Sequence, residues 1–402
     1  MSEEKLVPKL RFIEETWPSE KLGNLCKITM GQSPSSKNYS KNSNDTILIQ
    51  GNADLISGKI VPRIYTSEIT KLSYPGDIIL TVRAPVGDLA INEFDSCIGR
   101  GVCSIKGNKF IYYYLESLKD KHVWERLSQG STFESVNSND IKNLNLKIPS
   151  NSTQNHIINF FTAIDTKIEL LQKKHGEYIR FKQYLMQNIF ADKSAEKLRF
   201  DFNDEWRIRR LNEITFYQEG PGVRNYQYTK EGVKLLNVGN FVNNALELDN
   251  TDKYISNEEA YGKYKHFLVD EGDLLIACSG IKAEYFDEKI AFAENKHLPL
   301  CMNTSTMRFK SLDENTLNLR YLKYYFQTQS FKKQVFQVMT GSAQFNFGPT
   351  HLKYFKIPIP CLDEQIKIYQ MFESIDIKIL NIYREIMKVK EFKKGLLQQM
   401  FV

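Results

Sequence analysis

The chain has 402 residues, of which 42% are hydrophobic, so it is long enough to bury at least two cores. Its 54 basic and 48 acidic side chains leave a net charge of +6, which permits a nucleic-acid surface without establishing one. The start lacks a signal-peptide pattern, no apolar run reaches the roughly 20 residues that span a bilayer, and the six Cys contain no Cys-x-x-Cys pair. We therefore expect a cytoplasmic protein without membrane contact, a zinc knuckle or a disulfide framework.

In chain order, the predicted elements describe one unit written twice. A short lead-in is followed by a region of strands and turns rich in Gly, Pro, Asn and Ser, and then by a long helical pattern. After a charged linker, the same order recurs. We predict an N-terminal lead-in at 1–16, a first globular domain at 17–150, a first long helix at 151–191, a linker at 192–205, a second globular domain at 206–361 and a second long helix at 362–402.

The repeat can be followed residue by residue. Trp17 recurs as Trp206, 189 positions later, and Phe190 recurs as Phe401, 211 positions later. The offset grows only within the globular regions, and it stays at 211 throughout the helical regions. Two helices that lie side by side need matched lengths, whereas loops that contact different ligands do not. The insertions therefore indicate a shared helical frame that carries unlike loops.

Both helical regions carry a seam of apolar residues at alternating steps of four and three, the 3.5-residue repeat of a coiled coil. Lys182 and Lys393 occupy the same seam position in the two copies, which would fix the register at some cost in stability. Each helix would be about 50 Å long. The alternative is that each helix lies on its own domain, but two equal seams in one chain can bury each other. The predicted apolar seam residues are Ile157, Phe161, Ile164, Ile168, Leu171, Leu185 and Ile189 in the first helix and Ile368, Phe372, Ile375, Ile379, Ile382, Ile386, Val389, Leu396 and Met400 in the second.

The sequence carries no recognised catalytic motif. It has no Gly-x-x-x-x-Gly-Lys-Ser/Thr phosphate loop, no Asn-Pro-Pro-aromatic motif of amino-methyltransferases and no i, i+4 pair among its six His. Asp273 with Asp287 and Lys289 loosely matches a metal-dependent nuclease, in which two carboxylates hold a metal ion and the Lys orients a water. The first copy keeps Asp77 without the Lys, so we interpret Asp77 and Asp273 as turn residues. We predict no catalytic, cofactor-binding or metal-binding residue.

If two copies of one domain read two different short DNA sequences, the reading positions should coincide in the repeat and differ in chemistry. Arg83 and its counterpart Ser279 fit this rule, since Arg contacts guanine in the major groove and Ser does not distinguish bases as sharply. Pairs that share chemistry, such as Lys37 and Arg224, suit phosphate contacts. The plain alternative is that all of these are ordinary variable loop residues. The predicted DNA-binding residues are Lys37, Gln50, Asn52, Arg83, Arg100, Ser131 and Thr132 in the first copy and Arg224, Asn237, Asn240, Ser279, Asn303, Thr304, Ser342 and Gln344 in the second.

Taken in order, these features resemble the specificity subunit of type I restriction–modification systems. The resemblance rests on the Trp17 and Trp206 openings, the Gly-Asp turns at 76–77 and 272–273 that precede apolar strands, the Gly-Ser pairs at 130–131 and 341–342, and the Ile-Pro ends before the two helices. It covers nearly all of the chain. One departure is Arg83-Ala84-Pro85, which stands where the second copy has Ser279-Gly280, so we expect the loop of the first domain to have a different shape.

The resemblance implies two α/β target recognition domains with curved sheets, separated by the two long helices, which form an antiparallel coiled coil. Each domain would read one half of a bipartite target in double-stranded DNA, across an unread spacer. The chain would bind no cofactor and would recruit two methyltransferase subunits and two restriction/translocase subunits, which use S-adenosylmethionine, ATP and Mg2+. Two other classes stay open: a nuclease that uses the Asp273 cluster, and a coiled-coil adaptor without salt-dependent DNA affinity.

Overall fold

The computed structural model forms two compact units. Unit 1 contains Met1–Lys174 and Ile382–Val402, and unit 2 contains His175–Asn381. Each unit therefore takes one part of each long helix. The structure describes residues 15–128, 135–190, 199–249, 251–281, 283–338 and 345–401.

Unit 1 combines short strands with short helices and contains the start of the first long helix. Its strands are β1 Ser19–Lys21, β2 Lys27–Met30, β3 Tyr39–Ser40, β4 Thr46–Ile49, β5 Leu55–Ile56, β6 Lys59–Ile60, β7 Tyr65–Thr66, β8 Leu72–Ser73, β9 Ile78–Thr81, β10 Leu89–Ile91, β11 Ser96–Ile98, β12 Val102–Lys106 and β13 Asn145–Lys147. Its α-helices are α1 Leu22–Leu25, α2 Lys109–Asp120, α3 Val123–Ser128, α4 Ser138–Lys142 and the first part of α5 Asn151–Ile189. Single 3-10 turns lie at Ser36–Asn38 and Asn52–Asp54.

The strands of unit 1 form two main sheets. One has the order β2-β12-β9-β10-β6-β5 and the other has the order β3-β7-β4-β11-β8. Most neighbours run antiparallel, but β4 and β11 are parallel, as are β6 and β10. A separate antiparallel pair, β1 with β13, joins the start of the globular region to its end.

Strand β9 lies inside the first sheet, and all four of its residues are buried. The turn before it is closed by Asp77, whose Oδ2 accepts hydrogen bonds from the Tyr74 N–H at 3.0 Å and from the Ser104 hydroxyl at 2.8 Å. In unit 2, Oδ2 of Asp273 accepts from the Asp270 N–H at 2.9 Å. These contacts confirm the interpretation of both aspartates as turn residues.

Unit 2 is built from the corresponding elements. Its strands are β14 Arg207–Arg210, β15 Thr215–Glu219, β16 Val233–Leu236, β17 Phe241–Val242, β18 Ala245–Leu246, β19 Tyr254–Ile255, β20 Leu274–Ala277, β21 Ser279–Ile281, β22 Ile290–Phe292, β23 Leu300–Met302, β24 Thr306–Ser311, β25 Phe345–Asn346 and β26 Lys356–Ile359. Its α-helices are α6 Leu211–Ile214, α7 Asn257–Tyr261, α8 Leu319–Phe326, α9 Gln329–Val338 and the first part of α10 Leu362–Met400. Its 3-10 helices are Asn225–Gln227, Val238–Asn240, Lys265–Phe267, Ala283–Glu288, Asn295–His297 and Pro349–Tyr354.

The sheet topology of unit 2 repeats that of unit 1. Its largest sheet has the order β15-β24-β20-β22, which corresponds to β2-β12-β9-β10. A second sheet, β19-β16-β23, again contains one parallel pair, β16 with β23. Strand β14 pairs with β26 as β1 pairs with β13. The internal repeat is therefore a repeat of topology, although the hairpin β17-β18 forms a sheet of its own while β5-β6 joins the larger sheet.

Within unit 1, the two long helices run antiparallel. Phe161 of α5 stacks on Phe401 at the end of α10 with ring centroids 6.3 Å apart, and Lys167 pairs with Glu385 at 3.2 Å. Later positions on α5 thus meet earlier positions on α10. The core of the unit includes Ile157 and Phe161 from one helix and Leu397 from the other.

Within unit 2, the remaining parts of the helices are also antiparallel. Phe190, directly after α5, stacks on Phe372 of α10 with ring centroids 6.2 Å apart, and Lys182 of α5 pairs with Asp376 of α10 at 2.7 Å. Every predicted apolar seam residue in the two units is buried or half-buried. No helix in the described part of the chain is both long enough and apolar enough to cross a membrane.

The seam lysines connect each domain to both helices. In unit 1, Lys393 Nζ of α10 lies 2.8 Å from Asp165 of α5 and 2.8 Å from Glu116 of α2, and the Tyr113 hydroxyl of α2 donates to Asp165 at 2.8 Å. In unit 2, Lys182 pairs with Asp376, to which the Tyr324 hydroxyl donates at 2.9 Å. Burial alone would lower the pKa of Lys393, but the carboxylates of Glu116 and Asp165 outweigh it and raise the pKa.

Replacing Lys393 with Ala should lower the free energy of unfolding of unit 1 by about 2 kcal/mol, because Glu116 and Asp165 each lose a salt bridge to this lysine. The loss stays below that for a fully buried pair, since the Glu116 and Asp165 side chains remain 30% and 38% exposed. Lys390→Ala, at an exposed position of the same helix, should change the free energy of unfolding by less than about 0.5 kcal/mol. Thermal unfolding of the full chain measures both, and equal melting temperatures would contradict this assignment.

Candidate nucleic-acid interface

Four of the predicted DNA-binding residues lie around one pocket in unit 1. Gln50, Asn52, Arg83 and Arg100 line this pocket of about 480 Å³, together with Tyr39, Gly101 and short side chains of the loop at 33–36. We call it the arginine pocket. The side chains of Asn52, Arg83 and Arg100 are exposed and that of Gln50 is half-buried. The residues that line the pocket come from four separate loops, so only the fold brings them together.

The wall of the arginine pocket is a close crossing of backbone segments. The Gly31 N–H donates to Val102 O at 3.0 Å and the Gly99 N–H donates to Ile49 O at 2.8 Å. A Cβ atom on Gly101 would lie 2.0 Å from Gln50 O, which is far inside contact distance. Glycine at 101 therefore lets the chain before Val102 pass directly beside Gln50.

Asp54 holds the other side of the pocket in place. Its buried Oδ2 accepts hydrogen bonds from the Gln50 N–H at 2.8 Å and the Gly51 N–H at 3.2 Å. Arg63 Nε lies 3.1 Å from Oδ1, but without hydrogen-bond alignment, so this contact is electrostatic. The carboxylate thus fixes the backbone of Gln50, while its side chain lines the pocket.

The two arginines reach the pocket from different loops. Arg100 follows the crossing, and its N–H donates to Ser33 Oγ at 3.1 Å. Arg83 follows β9 and forms a single antiparallel bridge with Ser135. Among the described residues, no carboxylate lies within 4 Å of either guanidinium. Forked, unpaired guanidinium donors on an open surface can bind phosphates or the guanine edge.

Lys37 lies on the 3-10 turn Ser36–Asn38 and is exposed. The turn is tied down by Glu68, whose Oε2 accepts from the Asn38 side chain at 2.5 Å and from the Ser35 N–H at 3.1 Å. These hydrogen bonds, with a smaller contribution from the Lys37 charge, lower the pKa of Glu68. A negatively charged side chain is therefore built into this edge, and Lys37 offsets part of its charge.

The structure corrects the predicted equivalence of Lys37 and Arg224. The Asn38 N–H donates to Ser35 O, and the Gln227 N–H donates to Arg224 O, both at 2.9 Å. Arg224 therefore corresponds to Ser35, at the offset of 189 that also relates Trp17 to Trp206. The residue at the position of Lys37 is Tyr226, because this stretch of the repeat contains no insertion.

Tyr226 is a residue that the sequence reasoning missed. Its side chain is 87% exposed at the apex of the turn Asn225–Gln227, next to the exposed Arg224. A large aromatic ring so far from the core is available for contact with a partner. The signal that would have found it is its position opposite Lys37 once the repeat is aligned at the correct offset.

Asn240 does not present its amide to a ligand, contrary to the prediction. It is 3% exposed, its Oδ1 accepts from the Asn237 N–H at 2.9 Å and its Nδ2 donates to Glu247 O at 3.2 Å. It plays the part that Asp54 plays in unit 1, so the predicted pairing of Asn52 with Asn240 is also wrong. The reason is a one-residue difference in the turn, which places Val238 at the position of Asn52.

Two of the remaining predicted residues of unit 2, Asn237 and Asn303, contact each other directly. Asn303 is buried and its Nδ2 donates to Asn237 Oδ1 at 3.2 Å, while its Oδ1 accepts from the Thr304 N–H at 2.9 Å. Thr304 is exposed, and the half-buried Ser279 begins β21, which pairs with β25. Four predicted residues, Ser131, Thr132, Ser342 and Gln344, lie outside the described residues.

The arrangement needed for a nuclease does not form among the described residues. Asp287 pairs with Lys332 at 2.5 Å, and Lys289 Nζ donates to Phe241 O at 2.6 Å. Asp273 is buried against Arg308, whose Nη1 lies 3.4 Å from Oδ2. No group of three His, Cys, Asp or Glu in the described ranges could hold a metal ion. The three residues of the predicted cluster thus serve separate structural contacts.

A second pocket, of about 920 Å³, opens in unit 2 beside Lys234, Tyr254 and His297, and none of the predicted DNA-binding residues lines it. His297 is buried, and its Nδ1 accepts from the Glu294 N–H at 3.0 Å. Burial lowers the pKa of His297. The imidazole is therefore held by the backbone of its own turn.

Comparison with known proteins identifies the class. The family described as the type I restriction modification DNA specificity domain matches residues 14–177 and again residues 203–391. The two matches together span most of the chain, and each begins just before the tryptophan, Trp17 or Trp206, that opens one copy of the repeat. The chain belongs to this family.

A curated relative also carries the specificity-subunit description. The chain is 36% identical over 195 residues to a putative type I restriction enzyme specificity subunit, MjaX, of Methanocaldococcus jannaschii. That match spans 46% of this chain and 45% of the relative, so it covers less than half of the relative's length.

Solved structures share the fold. A chain from a type I R-M system, described for its complex assembly and conformational transition, superposes with a TM-score of 0.61 at 19% identity and covers 96% of this chain and 98% of its own. The type I restriction–modification S subunit of M. genitalium gives a TM-score of 0.59 at 16% identity over 99% of both chains.

Gly101→Ala should disrupt the arginine pocket, because the added Cβ would meet Gln50 O and force the two segments apart. We expect a loss of more than about 2 kcal/mol in the free energy of unfolding, of the size seen for overpacking. The matched control is Gly51→Ala, whose Cβ would have no atom within 4 Å. Thermal unfolding compares the two variants, and equal stability would show that the backbone crossing is looser than described.

Proposed function

We propose that this chain is the DNA specificity subunit of a type I restriction–modification complex. Its unit 1 and unit 2 would each read one half of a bipartite site in double-stranded DNA, with an unread spacer between the halves. The observation that carries this proposal is the family match to both copies of the repeat, joined with Arg83 and Arg100, which are exposed in the arginine pocket and have no carboxylate partner among the described residues. Family membership supplies the class, and the pocket supplies a surface that suits DNA.

The chemistry would belong to partner subunits. We propose that the chain recruits two methyltransferase subunits, which use S-adenosylmethionine, and two restriction/translocase subunits, which use ATP and Mg2+. Two findings support this division: the sequence has no phosphate-binding or methyl-transfer motif, and the described acidic residues of the nuclease-like cluster are engaged in internal contacts. The related solved structure from a type I R-M system, described for its complex assembly, fits such a partnership.

The alternative function is a coiled-coil adaptor without DNA affinity. A measurement of binding to duplex DNA distinguishes this adaptor from the proposed specificity subunit. The arginine pocket favours DNA, because its exposed guanidinium groups suit the acceptor groups of a base edge, and a protein that binds duplex DNA displaces condensed counterions. Affinity for duplex DNA should then fall steeply with salt concentration. An adaptor would show no such dependence.

Co-expression of the full chain with its methyltransferase subunit should place methyl groups on adenines within one split sequence. Two separate reading domains on one chain predict two specified segments with several unspecified base pairs between them. Sequencing that detects N6-methyladenine across the host genome reads out the target directly. A continuous recognition sequence, or methylation without sequence preference, would contradict the proposal.

A further inference from the structure

The two units differ sharply in charge at one repeat-equivalent place. Unit 1 has Arg83 and Arg100 there, whereas unit 2 has Ser279 and Thr304. The equivalence is supported by the strands that lead into each position: β9 precedes Arg83 as β20 precedes Ser279, and β11 precedes Arg100 as β23 precedes Thr304. The strands before these positions are thus equivalent in the two units, whereas the side chains at the positions differ in charge and hydrogen-bonding groups.

In unit 1 this place is open and positively charged. Arg83 and Arg100 line the same pocket with the amides of Gln50 and Asn52, and no carboxylate among the described residues lies within 4 Å of either arginine. The nearby Asp54 carboxylate is buried and binds the Gln50 and Gly51 N–H groups. The guanidinium groups are therefore exposed and carry donors that a ligand can use.

In unit 2 two side-chain amides at the equivalent place contact each other. Asn237, the counterpart of Gln50, accepts a hydrogen bond from Asn303, the counterpart of Gly99. The strand that enters this region ends in the half-buried Glu219, where unit 1 has Met30, and burial raises the pKa of the Glu219 carboxyl. Unit 2 thus offers small hydroxyls and an acidic group where unit 1 offers two arginines.

Resting on the proposed function, we propose that Arg83 and Arg100 make unit 1 specific for a guanine-containing half-site, and that unit 2 reads its half-site without an arginine at these positions. An Arg fork matches the O6 and N7 acceptors that guanine alone presents together in the major groove. Gln50 and Asn52, on the same pocket wall, suit an adjacent adenine through its N6 and N7 groups. The rival role for both arginines is phosphate contact, which carries no sequence information.

The first measurement uses the full chain in complex with its methyltransferase subunit. Selection from duplexes of random sequence should enrich a split motif, with guanine in the half that unit 1 reads. Arg83→Ala and Arg100→Ala should relax the preference for guanine in that half only. The repeat-matched controls Ser279→Ala and Thr304→Ala should leave this half unchanged. We expect each variant to keep its fold, because all four side chains are exposed or half-buried. A melting temperature close to that of the wild type checks this for each variant.

The second measurement separates base contact from phosphate contact. Each guanine of the selected half-site is replaced in turn by 7-deazaguanine, which keeps base pairing and lacks the N7 acceptor. The wild-type complex should lose about ten-fold in affinity at the guanine that an arginine contacts. The Arg83→Ala or Arg100→Ala variant should lose less than about two-fold from the same replacement, because its contact to N7 is already gone.

Two results would overturn the inference. One is equal loss from 7-deazaguanine in the wild type and in both variants. The other is uniform weakening of the Arg variants on all sequences, with a shallower salt dependence, which marks phosphate contacts. Failure of the proposed function looks different, because selection would then enrich no split motif at all.

Discussion

A charged contact repeated in both units holds each globular domain to the two long helices. Lys393 lies 9% exposed between Glu116 of α2 and Asp165 of α5, with its Nζ 5.2 Å from the centre of the Tyr113 ring. In unit 2, Lys182 makes the corresponding contacts with Asp376 and with the Tyr324 ring. Each lysine thus fixes the register of the two long helices and also the position of a globular domain against them. Apolar packing alone allows the seam to slip by a heptad, whereas a mispositioned lysine would be buried without a partner.

This constraint explains why the helical parts of the repeat keep one length, whereas the globular parts vary in length and chemistry. The offset cannot change within the helical regions without moving Lys182 or Lys393 away from its carboxylate. Gln154 and Gln365 add a second fixed point, since each donates from its side chain to the carbonyl of a proline that precedes its helix, at 3.0 and 2.9 Å. Loops farther from these contacts are free to change length and chemistry. The frame therefore preserves geometry while the arginine pocket and its counterpart in unit 2 diverge.

Much of the frame could be predicted from the sequence, because helical periodicity and a constant offset report directly on buried positions. The seam, the turn roles of Asp77 and Asp273 and the α/β repeat all follow from such patterns. The candidate site could be predicted only in part. Arg83 and Arg100 lie together because four loops converge, and no local pattern encodes that convergence. Asn240 was misassigned because a single-residue shift in a turn decides whether an amide caps the backbone or faces solvent. Tyr226 was missed because Lys37 was matched with Arg224, two residues before the true counterpart.

Lys393 and Asp165 act as one coupled pair, and a double-mutant cycle tests this coupling most directly. The free energy of unfolding of the full chain is measured for the wild type, Lys393→Met, Asp165→Asn and the double variant by urea denaturation. We predict a coupling energy of about 1 kcal/mol or more, so that the double variant is more stable than the sum of the single losses implies. Additive losses within about 0.3 kcal/mol would contradict the account, because the two side chains would then stabilise the unit independently.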